Sequence, residues 1–230
     1  MSARKIEIVL AVLLIRSDHV VAPDQLMTEI WGDNPPRRAA AGIHVYISQL
    51  RKFLHRHDRP ENPVVTQPPG YLLRTGSDEV DFHLFLGMMN QGRAFVRAGD
   101  YEAAAFLIES ALEMWHGPVL DGLYSGPIIE GFVTSLNEAR LECLEMLADA
   151  HLELGRHREL VGRLYPVIAE NPLREVFYRQ LMLALYRSDF QADALKVYQM
   201  ARKTLHDELG LEPCRALRDL QQTILTSDRS

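Results

Sequence analysis

The chain has 230 residues, 47% of them hydrophobic and 24% charged, with a formal net charge of −6 at pH 7. That length has room for one large domain or two ordinary ones with proper cores, and the composition is that of a soluble globular protein. Only Cys143 and Cys214 are present, without paired spacing; this argues against a disulfide framework or a zinc site and fits a reducing cytoplasm.

The charge is uneven along the chain. Residues 1–80 carry 10 Lys and Arg against 9 Asp and Glu, whereas residues 81–230 carry 15 against 22, so the acidity belongs to the second part. Between residues 35 and 59 six cations stand against one anion, Asp58. A local basic stripe matters more to a polyanion than the global sum.

Residues 4–16 are apolar nearly all round, as in a helix enclosed by its neighbours. The run superficially imitates a signal peptide, but Glu7 interrupts it and Arg16-Ser17-Asp18-His19 replaces a small-residue cleavage site. It is also too short to cross a bilayer. His19-Val20-Val21-Ala22 is a short β-branched piece, and Pro23-Asp24 opens a helix through Trp31. Gly32-Asp33-Asn34-Pro35-Pro36 ends that helix. Residues 37–56 form the next one, which gives helix, turn and helix at the spacing of a DNA-reading unit.

At 100° per residue Ala39, Ile43, Tyr46, Ile47, Leu50, Phe53 and Leu54 fall on one side of this helix. Arg37, Arg38, Ala41, His44, Val45, Ser48, Gln49, Lys52, His55 and Arg56 fall on the other. The first side is expected to pack. The second is basic, carries short side chains and holds no carboxylate, which suits close approach to a groove. Gln49 is expected at an adenine edge and Val45 at a thymine methyl, with arginines on guanines or phosphates and Arg51 and Lys52 on phosphates. The alternative for the same stretch is a solvated basic helix.

Behind it, residues 62–73 place two strand-like runs around Pro68-Pro69-Gly70. This is a candidate wing, a second contact beside a helix in the major groove; its alternative is an ordinary hairpin.

Trp31-Gly32-Asp33-Asn34-Pro35-Pro36, His44-Val45-Tyr46-Ile47-Ser48-Gln49-Leu50-Arg51-Lys52-Phe53-Leu54 and Val65-Thr66-Gln67-Pro68-Pro69-Gly70-Tyr71 resemble the OmpR-type winged helix of the Streptomyces antibiotic regulatory proteins. The remainder resembles the bacterial transcriptional activation domain of that family, and the whole is most similar to its actinorhodin-type, pathway-specific activators. Members usually open with about twenty further residues forming a small antiparallel sheet of about four strands. This chain starts at the first helix, so it is a fragment, or its start was chosen late, or it lacks that sheet. The family often carries Arg where Gln67 stands, which weakens the expectation of a minor-groove arginine; Arg74 is a partial substitute.

Gly76-Ser77-Asp78-Glu79 marks a boundary. The expected domains are residues 1–76, a winged helix-turn-helix, and residues 80–226, an all-α tetratricopeptide-like domain. Asp81 caps a helix to Ala98, Gly99-Asp100 turns it, and residues 101–115 return. A Gly/Pro-rich excursion over residues 116–127 precedes helices at 128–154, 156–170, 172–187, 190–209 and 212–225. Turns at Gly155 and Asp189 are 34 positions apart, the tetratricopeptide period, and the turn at Gly99 lies one repeat plus the excursion earlier. About three degenerate repeats with a concave protein-binding surface are expected; the alternative is a plain helical bundle.

No phosphate loop, nucleophile elbow or receiver-type acidic cluster is present, so no enzymatic activity, cofactor or aspartyl phosphorylation is expected. His55, His57 and Asp58, and His151 with His157, read as solvated surface, as do Glu142, Glu145 and Asp149. Cys143 and Cys214 are expected to pack as small apolar residues within helices. The resemblance implies a cytoplasmic activator of an antibiotic gene cluster. It would bind direct repeats near the −35 promoter element as side-by-side copies and contact RNA polymerase through its sigma factor. The rival from another class is a repeat-domain adaptor whose truncated winged helix touches protein rather than DNA.

Overall fold

The computed structural model describes residues 3–55, 61–76, 80–123 and 126–226. Helices α1 (Ala3–Ile15), α2 (Pro23–Trp31) and α3 (Ala39–Phe53) precede a hairpin, β1 (Val64–Gln67) and β2 (Gly70–Leu73). The rest is helical: α4 (Asp81–Ala98), α5 (Tyr101–Glu113), α6 (Pro127–Glu153), α7 (His157–Glu170), α8 (Glu175–Tyr186), α9 (Gln191–Leu209) and α10 (Arg215–Thr226). The chain is thus mainly α, a winged helix-turn-helix followed by a tetratricopeptide-like helical part.

It forms two compact units, residues 1–86 with 113–140, and residues 87–112 with 141–230. In the first, α1 buries Val9, Val12 and Leu13 against Leu26 of α2 and Ile43, Ile47 and Leu50 of α3. The apolar residues encircle α1 because it is covered on several sides, by α2, α3 and β2. Val21 and Tyr71 exchange both backbone hydrogen bonds at 2.8 and 2.9 Å, extending the hairpin by one antiparallel bridge. Gly70 permits this, since a Cβ there would lie 2.0 Å from the Val21 carbonyl oxygen.

This unit does not stop near residue 76. Ile129 and Val133 of α6 lie in the same core as Val9 and Leu13. The fully buried Glu29 of α2 accepts the backbone N–H of Ile128 at 2.6 Å. Shared burial, rather than the polar break at 76–79, sets the unit's extent.

In the second unit α7, α8, α9 and α10 pack around Phe177, Tyr178, Leu181 and Met182. The helical turns share one geometry. Gly99, Gly155 and Asp189 are left-handed at φ 76, 74 and 66°, and Asp100, Arg156 and Phe190 each donate a backbone N–H five residues back, to Phe95, His151 and Leu185, at 2.9–3.0 Å. Asp stands in the third turn because, among non-glycine residues, it tolerates that conformation comparatively well.

Several surface expectations are corrected here. His151 is 2% exposed, enclosed on α6. His157 is half-buried, with its Nε2 3.1 Å from the Leu152 carbonyl. Glu142 and Glu145 are half-buried and pair with Arg93 and Arg174, whereas Asp149 is exposed as expected and accepts from Gln180, so these carboxylates tie helices together. Cys143 is buried as expected, but Cys214 is exposed and lies just before α10 rather than within a helix. His57 and Asp58 lie outside the described residues.

Candidate nucleic-acid interface

Helix α3 is held on its inner side by Ala39, Ile43, Tyr46, Ile47 and Leu50, all buried. Trp31 at the end of α2 lies over it, 3.4 Å from where a Cβ on Gly42 would stand, with its ring centroid 6.2 Å from that of Tyr46. An alanine at 42 would meet that indole in ordinary van der Waals contact, leaving little room for a longer side chain on that side.

The outer side presents His44, Val45, Ser48 and Lys52, all exposed, with Gln49 half-buried beside them. Arg37 and Arg38 stand exposed at the helix entrance. No carboxylate occurs between Arg37 and His55, so nothing on α3 repels a phosphate. Gln67 and Arg74 are exposed on and just beyond the hairpin. Arg56 lies outside the described residues.

Two of the expected contact residues are engaged with the wing. Arg51 is half-buried; its Nε donates to the Val64 carbonyl at 2.9 Å and its guanidinium also donates to Thr66 Oγ1 at 2.8 Å. Asn62 completes the joint: its Nδ2 donates to the Arg51 carbonyl at 2.8 Å and its Oδ1 accepts the Val64 N–H at 3.0 Å. His44 Nδ1 lies 2.7 Å from the Tyr71 hydroxyl. These contacts fix hairpin against helix, and the sequence pattern carried no sign of the roles of Thr66, Asn62 and Tyr71 in them.

Phe53 departs from expectation. It is 77% exposed instead of packed. On the helical wheel it sits at the margin of the apolar stripe, one turn beyond Gln49, so at the last turn of α3 it belongs to the outer face. Among the described residues no cluster of His, Cys, Asp and Glu could hold a metal ion, and no helix is long and apolar enough to cross a membrane.

A supported helix with a carboxylate-free basic face, joined rigidly to a hairpin and followed by helical repeats, defines an OmpR-type winged helix coupled to a tetratricopeptide-like domain. Residues 3–73 match the family described as "Transcriptional regulatory protein, C terminal", and residues 80–225 match "Bacterial transcriptional activator domain". Relatives include the transcriptional regulatory protein EmbR of Mycobacterium tuberculosis, 37% identical over 218 residues, covering 94% of this chain and 56% of that protein. The regulatory protein DnrI of Streptomyces peucetius is 34% identical over 232 residues, covering 98% of this chain and 85% of DnrI. The solved structure of M. tuberculosis EmbR in complex with a low-affinity phosphopeptide matches with a TM-score of 0.91 at 35% identity, covering 98% of this chain and 60% of that one. The chain therefore spans little more than half the length of the EmbR it matches. It belongs to the Streptomyces antibiotic regulatory protein family of transcriptional activators.

Proposed function

We propose that the chain is a sequence-specific DNA-binding activator of an antibiotic biosynthetic gene cluster. Residues 1–76 read direct repeats near the −35 promoter element as side-by-side copies, and residues 80–226 contact RNA polymerase through its sigma factor. The observation that carries this reading is the exposed face of α3, with cations at both ends, short side chains between and no carboxylate. Val45, Ser48 and Gln49 read base edges, each good bidentate pair discriminating by about 1–3 kcal/mol. Arg37, Arg38 and Lys52 meet phosphates, and Gln67 and Arg74 follow the backbone beside the wing. Arg56, outside the described residues, is a further candidate for a phosphate contact. His44 and Arg51 act as positioning residues, because their polar atoms hold the wing.

The test is a footprint of the purified chain on promoters from its own genomic neighbourhood. Protected tandem repeats at a spacing of about one helical turn or a multiple of it are expected. Absence of protection on every promoter, with the chain shown to be folded, would remove the DNA reading and leave the adaptor in its place.

A further inference from the structure

In the helical unit, α4, α6, α8 and α10 together line a cleft of about 510 Å³. Val96, Leu152, Leu183 and Leu220, one from each helix, give it apolar walls. Its charged lining groups are Asp149, Glu153 and Arg179, all exposed. Glu153 and Arg179 form no ion pair or side-chain hydrogen bond among the described residues, so both remain available to something outside the unit.

Gln180 lines the same cleft and is 1% exposed. Its Nε2 donates to the Glu145 carbonyl at 2.9 Å and to Asp149 Oδ1 at 2.8 Å. Both partners are acceptors, so the amide cannot be turned round. Its Oε1 therefore faces away from them and meets no donor among the described residues. Buried carbonyl oxygens are nearly always paired, so this one is an exception, while the donated bonds of the same amide hold Asp149 at the cleft.

We propose that this cleft binds a peptide segment of a partner protein, one presenting a lysine or arginine beside an aliphatic or aromatic side chain. The apolar side chain takes the walls, and the cation takes Glu153 and Asp149. Two carboxylates against one guanidinium, in a segment of net charge −7 (15 minus 22 over residues 81–230), select a basic peptide over an acidic one. A peptide suits the site better than an enclosed small molecule, because the charged lining groups lie in solvent and stacked helical repeats present open surfaces.

This inference rests on reading the helical half as the protein-contacting half. Its test pans a display library of random short peptides against the full chain, then titrates a synthetic copy of an enriched peptide by fluorescence anisotropy. Enriched sequences should pair Lys or Arg with Leu, Ile or Phe. Glu153→Lys should weaken the peptide by about tenfold and Arg179→Glu should tighten it. Both positions are exposed, and thermal melts matching the wild type establish that the variants are folded. Failure to enrich any peptide, enrichment of acidic ones, or an affinity indifferent to both charge reversals would overturn the proposal. A successful promoter footprint alongside such a failure rejects the cleft and leaves the DNA reading intact.

Discussion

The carboxylate of Glu29 on α2 accepts the backbone N–H groups of Ile128 and Ile129, at 2.6 and 3.3 Å, across 99 and 100 positions of sequence. Those donors belong to the first turn of α6, where N–H groups have no intrahelical acceptor. The negative charge also faces the positive end of the helix. Gly126 allows the approach, since a Cβ there would lie 2.6 Å from Glu29 Cδ.

Replacing Glu29 by Ala should lower stability by about 2–3 kcal/mol, from the lost cap and the buried donors left behind. Glu29→Gln, which keeps one acceptor, should recover part of that. Urea denaturation followed by circular dichroism checks it, and an unchanged midpoint in Glu29→Ala would refute the cap's importance.

Arg51 and Lys52 are neighbours with different duties. Arg51→Ala removes two hydrogen bonds that hold the wing and should cost about 1–2 kcal/mol of stability together with DNA affinity. Lys52→Ala, at an exposed position, should leave stability within about 0.5 kcal/mol and reduce the salt slope of DNA binding by about 1. Melts and salt titrations of the two variants would be indistinguishable if both cations simply met phosphates.

For Phe53 the packing expectation and the structure make opposite predictions. A packed phenylalanine cut to alanine loses about 3–5 kcal/mol; at 77% exposure Phe53→Ala should instead melt with the wild type, within about 0.5 kcal/mol. Its ring should be felt on DNA, where partial burial against a sugar corresponds to a loss of about fivefold in affinity. Filter-binding at fixed salt reads that loss, and an unaltered affinity would place the ring clear of the duplex.

Burial holds the pKa of His151 below its ordinary value of 6.5, helped by Arg163 and opposed by Glu109. Its Nε2 is 3.6 Å from Glu109 Oε1, too long for a hydrogen bond. The other charged groups facing it are Glu159 and Arg156. The folded chain keeps the ring neutral while the unfolded chain protonates it near 6.5, so this contribution is intact above that pH and is lost as pH falls through the depressed folded value. Urea midpoints measured across that window should fall less steeply in His151→Gln. Parallel slopes would show that the ring does not titrate with unfolding.

The two thiols should be told apart by alkylation. The Cys143 pKa is pushed up to about 12, chiefly by burial and further by Glu142, so it stays protonated and shielded, whereas Cys214 is exposed. Iodoacetamide at neutral pH should label one thiol in the folded chain and two in urea, as counted by mass spectrometry.

The helix-turn-helix, hairpin and repeat turns were legible because each has a local cause. Pro23 starts α2, Gly70 is needed where β2 meets Val21, and the 34-position step links Gly155 to Asp189 even though glycine is absent from the second. The exposed side of α3 was equally visible as a stretch without carboxylates. What escaped was non-local: Arg51 on Val64, His44 on Tyr71 and Glu29 on α6 depend on backbones brought together only by folding. Burial of His151 escaped for a related reason. Helix α6 places Ile129 and Val133 in one core and Ala148 and Leu152 in the other, so no single amphipathic stripe runs its length.

The join between Glu29 and α6 bears on the order in which a ribosome delivers the molecule. Everything that touches DNA in the proposed reading has been synthesised by residue 76, yet Ile129 and Val133 complete the core beneath it. The nascent chain must therefore extend past Val133 before that core is complete. A product cut short by a premature stop near residue 80 should not act as a free competitor for promoter sites. It would leave Val9 and Leu13 without their cover from α6 and the carboxylate of Glu29 without its partners.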